Sequence, residues 1–136
     1  MLGDILINAD SPTVAALGAM RFVSLTTFRK TGKEIRTPVW IAEANGKLYI
    51  YSEGRAGKVK RTRANGKARL AECDMRGNLL GDFVEAKGRV VTDPEEHALG
   101  LRVLKEKYGW QMGIANFVSR LFGKYSKRAV LAFELI

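Results

Sequence analysis

The chain has 136 residues and a mass of 15.1 kDa, with 46% hydrophobic and 27% charged residues. That balance excludes a disordered tail, a collagen-like rod and a low-complexity polymer, and it suits one domain over 1–136 with a core of its own. Lys and Arg number 23 against 14 Asp and Glu, a net charge of +9 with an isoelectric point near 9.9, so the expected partners are anionic: nucleic acid, an acidic membrane surface or a small polyanion.

The first predicted element is a short helix with Ser11 at its N-cap, Pro12 at the first helical position, Val14 to Leu17 inside and Gly18 at its end. Residues 22–28 are rich in aromatic and β-branched side chains and predict a strand, which the turn Lys30-Thr31-Gly32-Lys33 joins to a second strand over 35–43. Asn45-Gly46 is the strongest short hairpin signal in the chain and leads into a third strand over 47–52. Pro38 has no N–H for a ladder, so it marks an edge, a bulge or a stretch of backbone free to face a ligand.

Between Glu53 and Glu72 lie Arg55, Lys58, Lys60, Arg61, Arg63, Lys67 and Arg69 with no acid among them, and 56–64 suits a helix. Strands over 68–74 and 83–92 flank a turn at Arg76-Gly77-Asn78, so that five strands are expected to meander. Asp93 caps the next helix, Pro94 fits its first turn, Glu96 is placed to close a capping box, and Ala98, Leu101, Leu104 and Tyr108 form an apolar stripe. A further helix over 114–122 stops at Gly123, and the apolar run Ala129 to Phe133 within 128–136 predicts a strand buried on both faces. Six antiparallel strands with helices at the front and before the last strand point to a small α+β barrel, with an open sandwich as the alternative.

Chemistry-bearing residues are few. His97, the one histidine, has no second His or Cys nearby to make a metal site, and Cys73 on a strand reads as a small buried hydrophobe. One cysteine also excludes an intrachain disulfide, no run reaches the ~18 apolar residues of a membrane span, and the opening residues lack a basic segment followed by an apolar stretch, so the expected address is the cytoplasm. Neither a Walker loop nor a Rossmann glycine fingerprint occurs. With no catalytic side chain to nominate, chemistry would have to come from a cofactor that the protein orients. The stretch from Tyr51 to Arg61 leaves a strand, passes Gly54 and Gly57 and enters a basic helix, a suitable place for a phosphate, although a solvated basic face reads equally well.

The ordered set Ser24-Leu25-Thr26-Thr27-Phe28-Arg29-Lys30-Thr31-Gly32, Arg36-Thr37-Pro38-Val39-Trp40, Leu48-Tyr49-Ile50-Tyr51-Ser52 and Gly57-Lys58-Val59-Lys60-Arg61 resembles the split β-barrel flavin and deazaflavin proteins related to pyridoxamine 5′-phosphate oxidase. It is most similar to their short branch of F420-dependent oxidoreductases, and the similarity continues through Ala71 to Gly77, Val84 to Gly88 and Tyr108-Gly109-Trp110. The resemblance implies a homodimer with cofactors in grooves at the subunit interface. Carried over by position, Arg36, Thr37, Pro38 and Val39 would line the ring and ribityl chain, and Ser52, Lys58, Lys60 and Arg61 would bind phosphate.

Trp40 reads as a core aromatic or as a residue that stacks on the ring, and Trp110, Met112 and Phe117 as a border of the substrate opening or as packing surface. The function implied is hydride transfer between F420, or else FMN, and an unsaturated small molecule. A cofactor carrier without turnover is the alternative. A nucleic-acid-binding barrel using the basic segment with Tyr49 or Tyr51 is a third reading, against which the RNP motif is missing.

Overall fold

The computed structural model describes residues 13–109 and 128–136. The expectations for Ser11, Pro12, Trp110, Met112, Phe117 and the helix over 114–122 with its stop at Gly123 lie outside the described residues.

Helix α1 (Val14–Ala19) is capped by Thr13 rather than by the expected Ser11 and continues one residue past Gly18; the Thr13 hydroxyl accepts from the Ala16 N–H at 3.0 Å. Its Leu17 is fully buried in the main core. Strands β1 (Val23–Phe28) and β2 (Glu34–Val39) form the expected hairpin, and β3 (Ala42–Ala44) and β4 (Lys47–Glu53) form the next. Asn45 and Gly46 both have positive φ, 54° and 79°, as a two-residue turn matched to strand twist requires.

Helix α2 (Gly57–Asn65) leads to β5 (Lys67–Glu72) and β6 (Val84–Val90), helix α3 (Pro94–Tyr108) follows, and β7 (Arg128–Leu135) completes the sheet. At the start of α3, the Asp93 carboxylate accepts from the Glu96 N–H as expected. The reciprocal half of the capping box is not made, because the Glu96 carboxylate turns to Arg89 and Tyr49.

Two expectations for the sheet are corrected. The predicted second strand is two strands, broken at Trp40 and Ile41, so the sheet has seven strands where six were expected. The strands also do not meander: their order is β2-β1-β5-β6-β7-β4-β3, all antiparallel. The two corrections share a cause. β2 and β3 are opposite edges of the sheet, yet only two residues separate them, so the sheet must curl until its edges approach each other. Strand propensity along 35–43 cannot reveal this corner, since it depends on which neighbours each half finds.

Inside the curl, Val23, Leu25, Leu48, Ile50, Leu70, Leu131 and Phe133 are fully buried together. Alternate residues of β7 face the other way: Val130 and Ala132 lie under α3 with Tyr49 and Val91. This two-sided burial explains the continuous apolar run of the last strand, and it is satisfied within a single chain. Leu104 and Tyr108 carry the α3 contact on to Ala42, while Ala98 of the predicted stripe is exposed. At Gly88 a Cβ would run into the Phe133 ring, so only glycine lets β6 pass so close to the core.

Candidate functional site

Where the chain turns the corner from β2 to β3, it faces the end of β4 and the start of α2 across a cleft of about 490 Å³. One wall is Pro38, Val39 and Trp40; the other is Tyr51, Ser52, Glu53 and Ala56, with Lys58 reaching in. Phe22 and the exposed Met75 border it. Trp40 is neither buried in the core nor free: its indole stacks on Tyr108, centroids 4.7 Å apart and planes 10° from parallel, and its remaining surface lines the cleft.

The wall is braced from behind by α3. The Tyr108 hydroxyl accepts from the Ile41 N–H at 2.9 Å and reaches the Arg21 carbonyl at 2.8 Å. Lys107 donates to the carbonyls of Gly18, Met20 and Ile41 at 2.7, 2.5 and 2.6 Å, using all three N–H groups of the ammonium. Burial, and secondarily Arg21, pushes Lys107 down to about 8, while the three carbonyls favour the charged form.

At the other wall, α2 begins without the usual provisions. Its N-cap is Ala56, which has no side chain to cap with, and its first turn holds no acid. The N–H groups of Gly57 and Lys58 meet no acceptor among the described residues. These are the orphan donors and the positive end of a helix, left open beside a cationic side chain. Lys58 is half-buried, and its pKa is lowered by burial and then by the Arg61 charge. Burial raises Tyr51.

Of the eight residues nominated from the sequence, the cleft gathers Pro38, Val39, Ser52 and Lys58. Arg36 is exposed on the outer sheet face, its guanidinium 4.8 Å from the Phe83 ring centroid, and Thr37 points to the opposite face. Lys60 is exposed on the solvent side of α2. Arg61 folds back, its Nε donating to Thr27 Oγ1 at 2.7 Å, with the guanidinium over Gly57 at the helix start.

Sequence reasoning gave Phe22 and Met75 no part in a site; Tyr51, Glu53 and Ala56 lay within the stretch read as a place for a phosphate but were not singled out as contacts. Tyr49, proposed as a stacking platform in the nucleic-acid reading, is 1% exposed with its hydroxyl on Glu96, so it offers no platform. His97 lies on α3 with Nε2 2.9 Å from the Arg128 carbonyl, outside the cleft lining. Cys73 is buried, and burial raises its pKa. Among the described residues no cluster of three His, Cys, Asp or Glu could hold a metal, and no helix is long and apolar enough to cross a membrane.

No protein-family model matches the chain, and no curated protein matches it by sequence. Solved structures do. A Listeria innocua protein named as a candidate pyridoxamine 5′-phosphate oxidase superposes with a TM-score of 0.60 at 13% identity, covering 99% of this chain and 94% of its own. An F420 reductase gives 0.57 at 16% identity, covering 91% and 93%. The fold is the split β-barrel of the pyridoxamine 5′-phosphate oxidase-like proteins. The heme storage protein HutZ of Vibrio cholerae has it too, with a TM-score of 0.67 at 10% identity over 88% of this chain and 84% of that one. At such identities the likeness is one of fold, and a split barrel hosts more than one ligand chemistry.

Proposed function

We propose that the cleft binds a phosphate-bearing flavin-type cofactor, coenzyme F420 in preference to FMN, and that the protein orients it for hydride exchange with an unsaturated small molecule. The observation that carries this reading is the open start of α2. Two backbone N–H groups that meet no acceptor among the described residues and an acid-free first turn open beside the half-buried Lys58, which lines one end of a cleft whose opposite wall is Pro38, Val39 and Trp40. Phosphate fits the first feature and a planar ring the second. The order of preference rests on the sequence resemblance and on the net charge of +9, which favours the more anionic of the two cofactors.

The bound cofactor would supply the hydride chemistry. The chain's own residues then bind and orient: Lys58, Ser52 and the Gly57 and Lys58 amides hold the phosphate, Trp40 is kept flat by Tyr108, and Pro38 offers no N–H that would need a partner on this wall. No side chain is assigned as acid or base. Arg36, Thr37, Lys60 and Arg61 act at most through the general field or on parts of the ligand beyond the cleft. A homodimer belongs to the same proposal. The last strand, β7, lies inside the sheet and is covered on both faces, so it leaves no apolar surface for a second copy. What supports the dimer is the resemblance, together with the exposed Met75, Leu79 and Leu80 on the loop beside the cleft.

Titration of the purified protein with F420 and with FMN, followed by absorbance and fluorescence, tests the reading. Lys58→Ala is expected to weaken binding about 10- to 150-fold, as loss of a charge-assisted contact does, and Lys60→Ala to cost less. Unchanged affinity in Lys58→Ala would place the phosphate elsewhere, and binding with no turnover of any conjugated acceptor would make the protein a carrier.

A further inference from the structure

Helix α2 carries Lys58, Lys60, Arg61 and Arg63 in nine residues with no acid. Like charges at such spacing repel, so the helix has more cation than its own stability favours. The first cleft uses only its opening turn. At its far end, past the left-handed cap Gly66, lies a second cleft of about 530 Å³ that shares no lining residue with the first. Arg63 enters it from α2, and Lys87 and Arg89 from β6; Thr92 adds a hydroxyl, and no Asp or Glu among the described residues lines it. Its floor is backbone, where the Gly88 N–H donates to the Gly66 carbonyl at 2.7 Å and neither residue has a side chain to fill the space.

The three cations are not equivalent. Arg89 is engaged bidentately by Glu96 at 2.7 and 2.7 Å and serves as a wall. Arg63 and Lys87 make no ion pair or side-chain hydrogen bond among the described residues. Arg63 sits in the last turn of α2, where it offsets the negative end of the helix. Lys87 is on a strand and has no such duty, opposite another cation, Lys67, in the β5 register.

We propose that this second cleft is an anion site for a phosphate group, free or as the monoester end of a small molecule, held by Lys87, Arg63 and Thr92. It is independent of what the first cleft binds. The test is a ¹H–¹⁵N titration of the full chain with inorganic phosphate and, separately, glycerol 3-phosphate, at an ionic strength held constant with chloride because exposed charge pairs are screened.

Saturable shifts of the Gly66, Gly88 and Thr92 amides are expected, with affinity about 10-fold or more weaker in the Arg63→Ala/Lys87→Ala double variant and unchanged in Lys30→Ala, an exposed cation of the β1–β2 turn outside the cleft. Shifts with phosphate mark a free-ion site, and shifts with the ester alone mark a monoester site; either supports the proposal. No saturable shift with either probe, shifts confined to Ala56–Val59, or shifts that survive the double variant would overturn it.

Discussion

Replacing Glu96 by Gln removes one charge from the point where α3, β4 and β6 are tied together. The carboxylate accepts from both Arg89 Nη atoms at 2.7 Å and from the Tyr49 hydroxyl at 2.8 Å, and Tyr49 is 1% exposed. The Arg89 hydrogen bonds hold Glu96 down at about 2, from an ordinary 4.5, while burial and then Glu96 push Tyr49 up to about 12. The difference, 4.5 − 2, is about 2.5 pH units, which at ~1.36 kcal/mol each is about 3 kcal/mol. The Arg89 side chain is 46% exposed against 17% for Glu96, so screening brings the expected loss to about 1–2 kcal/mol.

Gln keeps an oxygen for Tyr49 and Arg89 Nη2 and nearly the same shape but turns an NH2 donor toward Arg89 Nη1, so the loss is that of the charge together with one charge-assisted hydrogen bond. Because folding depresses this carboxyl, its stabilisation is complete above about 4.5 and is lost as pH falls toward about 2. Urea unfolding at pH 7 should therefore show the variant about 1–2 kcal/mol less stable, and the gap should narrow steadily between pH 4.5 and the lowest pH at which both proteins fold. Glu95→Gln, one residue away and exposed, should stay within about 0.5 kcal/mol of wild type. A Glu96→Gln deficit that is the same at pH 7 and pH 3 would refute the assignment to charge.

Two further substitutions probe how the cleft wall and the barrel are held. Lys107→Met keeps the apolar stem but takes the ammonium from the Gly18 and Met20 carbonyls and leaves the Ile41 carbonyl only the Tyr108 hydroxyl at 3.1 Å; about 1–3 kcal/mol should be lost in denaturant unfolding, with cofactor affinity falling through Trp40 if the wall depends on its brace. Gly88→Ala drives a methyl into Phe133, and a loss of about 1–3 kcal/mol is expected by thermal unfolding; a neutral result would show that β6 can move aside.

Much of this protein is legible without coordinates. The hairpin at Asn45-Gly46 follows from two residues that tolerate positive φ, and the start of α3 follows from Asp93 and Pro94, because both signals are local and act within one turn of chain. The two-sided burial of β7 is written in Ala129 to Phe133, and of the eight residues that the resemblance implied, Pro38, Val39, Ser52 and Lys58 line one cleft.

What no local signal contains is which strands become neighbours. The corner at Trp40-Ile41 exists because β2 finds β1 on one edge while β3 finds β4 on the other, and that choice is made by the whole curled sheet. The same closure decides the fate of individual polar groups. Glu96 satisfies a capping pattern three residues after Asp93, yet in the folded chain Arg89 and Tyr49 offer its carboxylate charge and a buried hydroxyl, stronger partners than a backbone N–H in water. Lys58, Lys60, Arg61 and Arg63 look alike in sequence, and only their angular positions on α2 against the barrel send one into each cleft, one to solvent and one back onto Thr27. Composition and turn chemistry determine the elements, because those act between near neighbours. The tertiary structure decides the site, because a site is made of residues that the sequence keeps far apart.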